Sequence, residues 1–230
     1  GGVVPRIGLP YITVGREGEL TAPLQASGSI AEGEGSLRFV VGKYGGGKSL
    51  LRQVIGNYVM DKHFGVVGAD LAPERRLQEN KGQGRATYKE LVQNMSTKTR
   101  PEGGALTLIL DRWINNVQSE AATESGLAPA APGFGKLVEK KIHEVVTSLN
   151  EMVHGFDFAR LLILYYNAHL EGNDENKAKV VKWFRGEYPN KTEARAELGV
   201  NIVITDDDWY EYIKLFAMFL KKAGYAGMLI

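Results

Sequence analysis

The stretch GKYGGGKS, Gly42 to Ser49, constrains the fold of this chain more than any other feature. It matches the pattern GxxxxGK[ST] at every fixed position. A short apolar run with a β-branched end, Leu37 to Val41, precedes it, and apolar residues at helical spacing follow it from Leu50 to Val59. Glycines allow the backbone amides to point at phosphate oxygens, and the N-terminus of a helix adds positive potential there. The stretch therefore predicts a strand, a phosphate-binding loop and a helix, in that order.

The residue types in this loop predict which ligand groups each side chain meets. Lys48 is expected to reach the β- and γ-phosphates and to neutralise the charge that develops on the transferred phosphoryl group. The Ser49 hydroxyl is expected to coordinate Mg²⁺. The guanine-reading NKxD pattern is missing, which favours ATP as the nucleotide. A Gly-rich turn that only caps a helix is the alternative, and the strand and helix on either side argue against it. The predicted binding residues of the loop are Gly42, Lys43, Tyr44, Gly45, Gly46, Gly47, Lys48, Ser49 and Leu50.

A second apolar run, FGVVGADL from Phe64 to Leu71, follows the predicted helix and indicates a second strand. Strand, helix and strand in this order predict a right-handed parallel βαβ unit. Helical patterns dominate the rest of the chain, with the last one from Trp209 to Ala223, and the final run GYAGMLI predicts the start of another strand. The expected fold class is α/β, a P-loop NTPase core with a parallel sheet and a large helical portion.

The segment AATESGLAPAAPGFG, residues 121–135, is rich in Ala, Pro, Gly and Ser, which suits a linker or an exposed loop. We therefore expect a P-loop core over residues 1–120, a linker over 121–135, a helical region over 136–224 and the beginning of a further core strand over 225–230.

Hydrolysis also needs an Asp at the end of an apolar strand to hold Mg²⁺, and a Glu commonly follows to activate water. Asp70 ends one apolar run, but it lies on the strand directly after the P-loop helix. That strand is not expected to lie beside the P-loop strand, so we do not favour Asp70. Asp111 ends ALTLILD, yet the apolar spacing continues past it at helical period, which favours an Asp on the surface of a buried helix.

Asp206 and Asp207 follow the apolar run NIVIT and look most like the required motif locally. Asp208 and Glu211, however, have the spacing of a capping box for the helix that begins at Trp209, and we favour that explanation. The account we prefer for the missing acids is that they belong to the strand begun by GYAGMLI and that the sequence stops before them. Such a fragment would bind ATP and hydrolyse it poorly.

Composition limits the remaining function classes. Lys and Arg number 28 against 27 Asp and Glu, so the whole chain has no strong attraction for nucleic acid or anionic lipid. The absence of cysteine excludes zinc–thiolate sites and thiol catalysis. No apolar run approaches the ~20 residues that a membrane span needs, and the first residues lack the pattern of a secretory signal. We expect a cytoplasmic protein without a membrane partner.

Long blocks beyond the phosphate loop resemble the ATP-binding proteins of the bacterial BREX phage-defence system, of the BrxD type. The resemblance covers nearly the whole chain, from VGREGEL to the last residue. It rests on RFVVGKYGGGKSLL, on the region from GADLAPERRLQ through GQGRATYKELVQNM, on GEYPNKTEARAELGV and on DDDWYEYIKLFAMFLKKAGYAGMLI. It implies an AAA+-like ATPase that works with other defence proteins and forms oligomers. In ATPases of this class a segment like VGREGEL lines the adenine pocket, so the resemblance adds Val14, Gly15 and Arg16 to the predicted nucleotide site.

The sequence thus predicts an ATPase whose nucleotide cycle drives conformational change in a defence assembly. One alternative is a nucleotide-gated interaction module that binds ATP without significant hydrolysis. Another is a DNA-associated protein with a vestigial P-loop, which the near-neutral net charge does not support. A local basic stretch could touch DNA or a neighbouring nucleotide, although the Glu residues interspersed with it favour a solvated helix face. That stretch comprises Lys81, Arg85, Lys89, Lys98 and Arg100.

Overall fold

The computed structural model describes residues 48–69 and 83–229. Within these ranges eight helices and two short strands follow the order that the sequence predicts from the P-loop helix onward. The elements are α1 (Lys48–Asp61), β1 (Phe64–Val66), α2 (Gly84–Gln93), α3 (Leu106–Ser125), α4 (Phe134–Ser148), α5 (Gly155–Leu170), α6 (Asp174–Phe184), α7 (Lys191–Leu198), α8 (Trp209–Lys222) and β2 (Gly227–Leu229).

The two strands form a parallel pair, with Phe64 opposite Gly227 and Val66 opposite Leu229. This pairing confirms a strand at each of the two predicted places and is compatible with the predicted α/β class, although β1 ends at Val66, before the predicted end at Leu71. A helix lies against each face of the pair. Side chains alternate along a strand, so Phe64 and Gly65 face opposite helices. Phe64 packs with Ile55 and Val59 of α1. On the opposite face, the position that a Cβ would take on Gly65 lies 3.1 Å from a methyl carbon of Leu220 in α8.

A loop between α2 and α3 covers the free edge of β1. Val66 and Ser96 exchange backbone hydrogen bonds of 2.8 and 2.7 Å, which makes an antiparallel bridge on the side away from β2. The Asn94 side chain extends this contact by donating from Nδ2 to the Gly68 carbonyl, 3.0 Å away. Edge strands with unpaired backbone groups are prone to wrong pairing, and this loop occupies those groups on β1.

The helices pack around a core rich in aromatic side chains. Phe158 of α5 lies edge-on to Phe216 of α8, with ring centroids 5.0 Å apart, and tilted against Phe184 of α6 at the same distance. Tyr88 of α2 is fully buried and donates its hydroxyl hydrogen to the Phe184 carbonyl. These contacts join α2, α5, α6 and α8 through large apolar surfaces, which contribute about 1.5–3 kcal/mol for each fully buried side chain.

Helix α3 extends into the segment that composition predicts as a linker. It continues through Ser125 and ends at Gly126, which adopts the left-handed conformation with φ 67°. Residues 121–125, assigned to the linker by composition, are therefore helical, because Ala121 and Ala122 are strong helix formers. A single hydrophobic cluster extends from Val67 to Met228 and includes residues on both sides of the 126–133 loop. The domain boundaries derived from composition stay predictions.

Candidate nucleotide-binding site

The phosphate loop lies only partly within the described residues. Lys48, Ser49 and Leu50 are the first three residues of α1, so the predicted helix after the loop is present. Their side chains lie outside the description, as do the predicted strand from Leu37 to Val41 and the loop residues Gly42, Lys43, Tyr44, Gly45, Gly46 and Gly47. The residues predicted for the adenine pocket, Val14, Gly15 and Arg16, also lie outside it.

The orientation of α1 nevertheless places its first residues relative to the sheet. Only Lys62 and His63 connect α1 to β1, and the two elements pack against each other, so they run in opposite directions. The N-terminal end of α1 therefore lies toward the carboxyl ends of β1 and β2, which point the same way. We call this side the carboxyl edge. In open parallel α/β sheets, ligands bind outside the carboxyl ends of the strands.

The four sequence positions considered for the catalytic acid fall in different places. Asp70 lies outside the described residues, and the acids expected after GYAGMLI would follow the last residue of the given sequence. Asp111 lies in the second turn of α3, as the helical spacing predicts. Its carboxylate is half-buried and paired. The Tyr165 hydroxyl donates to Asp111 Oδ1 at 2.6 Å, Lys177 Nζ lies 2.9 Å from the same oxygen, and His169 Nδ1 lies 3.4 Å from it.

This pairing changes the ionisation of Asp111. Burial alone would raise the pKa of the Asp111 carboxyl, but the hydrogen bonds from Tyr165 and Lys177 and the positive charge of Lys177 outweigh burial, so the pKa is lowered. An acid that stays ionised on a buried helix face joins α3 to α5 and α6. We assign Asp111 a structural role on this evidence.

Removing the charge of Asp111 should destabilise the protein in a pH-dependent way. Because the folded-state pKa lies below the unfolded value, the ionised carboxylate stabilises the fold above about pH 4 and loses this effect as pH falls through the lower folded pKa. Asp111→Asn should therefore lower the free energy of unfolding by about 2 kcal/mol at pH 7, and the difference from the unsubstituted protein should narrow as the pH falls below about 4. Urea unfolding at several pH values measures this. The exposed Glu187 provides a control, since Glu187→Gln should leave stability within about 0.5 kcal/mol.

Asp206 has a partner far away in the sequence. Its Oδ1 accepts a hydrogen bond of 2.9 Å from the backbone N–H of Arg85, in the first turn of α2. The N-cap residue of α2, Gln83, makes no side-chain cap of its own. Asp206 therefore supplies the acceptor that the orphan amides at a helix N-terminus require.

The predicted capping box at the start of α8 is wrong. Asp208 is the N-cap residue, but its side chain accepts from the Thr205 backbone N–H at 2.7 Å and caps no amide of α8. The preceding run, residues 201–205, is not a strand, and its Ile202 carbonyl accepts a hydrogen bond from the Trp183 indole at 2.8 Å. Residues 206–208 form a turn in which the Asp207 N–H bonds to the Thr205 hydroxyl at 3.3 Å.

Arg85 joins the block GQGRATY, for which the sequence predicts no role, to the turn between α6 and α7. Its guanidinium donates from Nε to the Gly186 carbonyl at 2.9 Å and from another nitrogen to the Tyr188 carbonyl at 2.6 Å. Gly84 beside it allows close packing, since a Cβ there would lie 2.5 Å from a ring carbon of Trp209. We call Arg85 and its three partners, Asp206, Gly186 and Tyr188, the Arg85 hub.

The hub accounts for one member of the predicted basic stretch. A second member, Lys98, lies 3.4 Å from Asp61 at the end of α1, with both side chains largely exposed. Lys89 and Arg100 are exposed, and Lys81 lies outside the described residues. Among the described members, Lys89, Lys98 and Arg100 are therefore exposed to solvent, as the charge pattern predicts, and Arg85 has a structural role.

Sequence reasoning missed the hub because Arg85 lies about 100 residues or more from each of its three partners. The Gly-Arg pair directly before a helical pattern is a local signal of a close-packed helix start, but no spacing rule connects it to Asp206.

Two kinds of feature are missing from the described part of the chain. In the ranges 48–69 and 83–229, no group of three or more acidic or histidine side chains is arranged to hold a metal ion. No helix in the same ranges has both the length and the apolar character that a membrane crossing requires.

Comparison with known proteins identifies a family over the full sequence. A family model described as BREX system ATP-binding protein BrxC/D matches residues 1–230. No curated protein matches the chain, and no solved structure does so either.

Proposed function

Because this chain belongs to the BREX system ATP-binding protein family BrxC/D, we propose that it binds Mg-ATP at the loop from Gly42 to Ser49 and hydrolyses it within the phage-defence assembly. Lys48 neutralises charge on the phosphates, and the Ser49 hydroxyl holds Mg²⁺. Val14, Gly15 and Arg16 contact the adenine.

The observation that carries this proposal is the position of the first residues of α1. Lys48 and Ser49 begin a helix whose N-terminal end lies toward the carboxyl edge of a parallel strand pair. Backbone amides at a helix N-terminus attract phosphate, and this edge is where α/β folds bind their ligands. The family and the motif therefore agree with the local geometry.

The water-activating acid is proposed to lie at the same edge. β2 is parallel to β1, so the carboxyl ends of both strands lie at the end of the sheet that faces the start of α1. Asp206 and Asp207 stay candidates of lower rank, since the Asp206 carboxylate is bonded to the first turn of α2. If no acid reaches the nucleotide, the same site supports a module that binds ATP and switches partner contacts without turnover.

Substitution of Lys48 tests nucleotide binding directly. Lys48→Ala removes charge-assisted hydrogen bonds to the phosphates that are worth about 1.5–3 kcal/mol, so affinity for mant-ATP, a fluorescent ATP analogue, should fall by about 10- to 100-fold. Lys62 directly follows the opposite end of the same helix and lies over the Tyr58 ring. Lys62→Ala is therefore the matched control and should bind normally. Equal affinity of Lys48→Ala and the unsubstituted chain would refute the proposed site.

Phosphate release from the same samples separates the two modes of action. Mg²⁺-dependent release that Lys48→Ala abolishes would support the ATPase. Tight mant-ATP binding without release, also in a chain that continues past Ile230, would support the nucleotide-gated module. Loss of release in Asp207→Asn, with binding retained, would identify that residue as the acid.

A further inference from the structure

Helix α5 carries apolar residues on both its inner and its outer face. Apart from two tyrosines, its 16 residues include only an Asp, an Arg, an Asn and a His as polar side chains. The inner face packs into the aromatic core, where Phe158 and Leu162 are fully buried. A helix that is apolar all round is normally buried on every side. The outer face of α5 therefore has the composition of a buried surface.

The outer face is nevertheless exposed to solvent. Phe156, Ile163 and Leu170 follow one another at intervals of seven residues, which places them on one side of the helix within about 40° of rotation. Phe156 is 68% exposed, Leu170 is 58% exposed and Ile163 is half-buried. We call these three residues the α5 stripe. It extends for about 21 Å along the helix, and the described part of the chain leaves most of it uncovered.

Two polar side chains lie along one flank of the α5 stripe. Arg160 falls in the first interval of the stripe and Asn167 in the second, and both residues are exposed. Arg160 donates from Nη2 to the Gly199 carbonyl at 2.9 Å, which orients the guanidinium. A guanidinium has five N–H donors, and the side-chain oxygen of an asparagine accepts hydrogen bonds. Arg160 and Asn167 are therefore complementary to each other.

The stripe is self-complementary when a second copy of α5 lies antiparallel against it. With Ile163 of both copies at the centre, Phe156 of one copy faces Leu170 of the other, because the two are equally far from Ile163. Arg160 then lies beside Asn167 of the other copy, since both residues are on the same flank. Apolar side chains thus meet apolar ones, and the two polar side chains meet each other. A parallel pair would instead bring Arg160 level with the same arginine of the second copy.

We propose that the α5 stripe is the contact of a two-fold symmetric dimer of this chain, with the two copies of α5 antiparallel. A two-fold interface requires one surface that complements itself, as this one does. The alternating steps of three and four residues through Phe156, Arg160, Ile163, Asn167 and Leu170 are those of a coiled-coil seam. A single pair of helices of this length buries less surface than a standard stable interface, so we expect a dissociation constant in the micromolar range. The contact does not involve the proposed nucleotide site.

Sedimentation equilibrium of the full chain without nucleotide tests the dimer. The unsubstituted chain should change from monomer to dimer between about 1 and 100 µM. Phe156→Ser combined with Leu170→Ser should weaken the dimer by about tenfold or more, because exposed aromatic and large apolar side chains dominate such contacts. Both side chains are exposed, so the fold, checked by circular dichroism, should be retained. Met218, on α8, is 39% exposed, and Met218→Ser is the matched control that should leave the dimer unchanged.

Two results of this measurement would overturn the proposal. One is a chain that stays monomeric at 100 µM. The other is a dimer that persists unchanged in the variant that carries both Phe156→Ser and Leu170→Ser, since that dimer would use another surface.

Cross-linking tests the antiparallel arrangement, because the chain contains no cysteine. Ile163→Cys should give a covalent dimer on oxidation, since the two copies of this position meet at the centre. A mixture of Phe156→Cys and Leu170→Cys chains should also cross-link. Phe156→Cys alone should not, because its two copies would lie about 21 Å apart along the helices. Efficient linking of Phe156→Cys to itself, without linking of Ile163→Cys, would contradict the arrangement.

A charge exchange tests the pairing of the two polar side chains. Asn167→Arg should weaken the dimer by about fivefold or more, because it places a second guanidinium beside Arg160. Adding Arg160→Glu to the same chain should restore the dimer, because the new carboxylate faces the new arginine. A dimer that is equally weak in the single and the double variant would show that these two positions do not face each other.

Discussion

Gly155→Ala is expected to lower the free energy of unfolding by about 3 kcal/mol or more. Gly155 is the first residue of α5, and a Cβ built on it would lie 1.7 Å from the Leu149 carbonyl oxygen and 2.7 Å from the Leu149 carbonyl carbon. Both atoms belong to the backbone of the turn that ends α4, so no side-chain rotation relieves the clash. The preceding residue, His154, already adopts a positive φ of 59°. The turn between α4 and α5 would have to open.

The α4 helix offers a control of the same chemistry. Gly135 lies near the start of α4 with nothing within 4 Å of its Cβ position. Ala is favoured over Gly inside a helix by about 0.5–1 kcal/mol, so Gly135→Ala should be neutral or slightly stabilising. Urea unfolding followed by circular dichroism measures both variants. Similar stabilities for Gly155→Ala and Gly135→Ala would show that the turn between α4 and α5 is not as tightly wound as described.

Arg85→Ala is expected to be the second strongly destabilising change, by about 3 kcal/mol. The substitution removes two hydrogen bonds from a charged group, to the carbonyls of Gly186 and Tyr188. These carbonyls belong to the turn between α6 and α7, so α2 would lose its polar contact with that turn. Arg85→Lys keeps the charge, but a lysine ammonium does not reproduce the forked geometry of the guanidinium. We expect Arg85→Lys to be intermediate.

Substitution of an exposed arginine on α7 tests whether the loss of a positive charge alone destabilises the protein. Arg195→Ala removes an exposed side chain of the same type and should change stability by less than about 0.5 kcal/mol. Thermal unfolding of the three variants ranks them. If Arg85→Ala retained full stability but lost affinity for duplex DNA, the residue would belong to a nucleic-acid surface, as considered for the basic stretch, and not to a structural hub.

Local patterns predicted the elements of this fold well where periodicity is strong. Helix α8 and strand β2 were both expected from the sequence, because apolar spacing changes from helical to continuous after Gly224. Helix α3 was expected from spacing that continues past Asp111, although Gly126 ends it later than composition indicates. Such features depend on residues that are close together in the chain.

Contacts between distant residues could not be predicted in this way. Capping of α2 by Asp206 joins positions 121 residues apart, and the partners of Asp111 come from two other helices. An acidic residue after an apolar run can cap a helix, form a buried ion pair or bind a metal ion. The group that it contacts in the fold shows which of these roles it has. For the nucleotide site, the motif and the family support Lys48 and Ser49, and their roles stay predictions that substitution will test.

The pairing of β1 with β2 has a consequence for how this protein folds. Phe64 and Gly227 are partners in the ladder although about 160 residues separate them, and closing so long a loop is slow because chain entropy opposes it. At a synthesis rate of about 5–20 residues per second, β1 waits roughly 10–30 s on the ribosome for its partner strand. Helices α2 to α8 have that interval to form from local contacts and shorten the effective loop. The helical core is therefore expected to assemble first, and the parallel strand pair to close last.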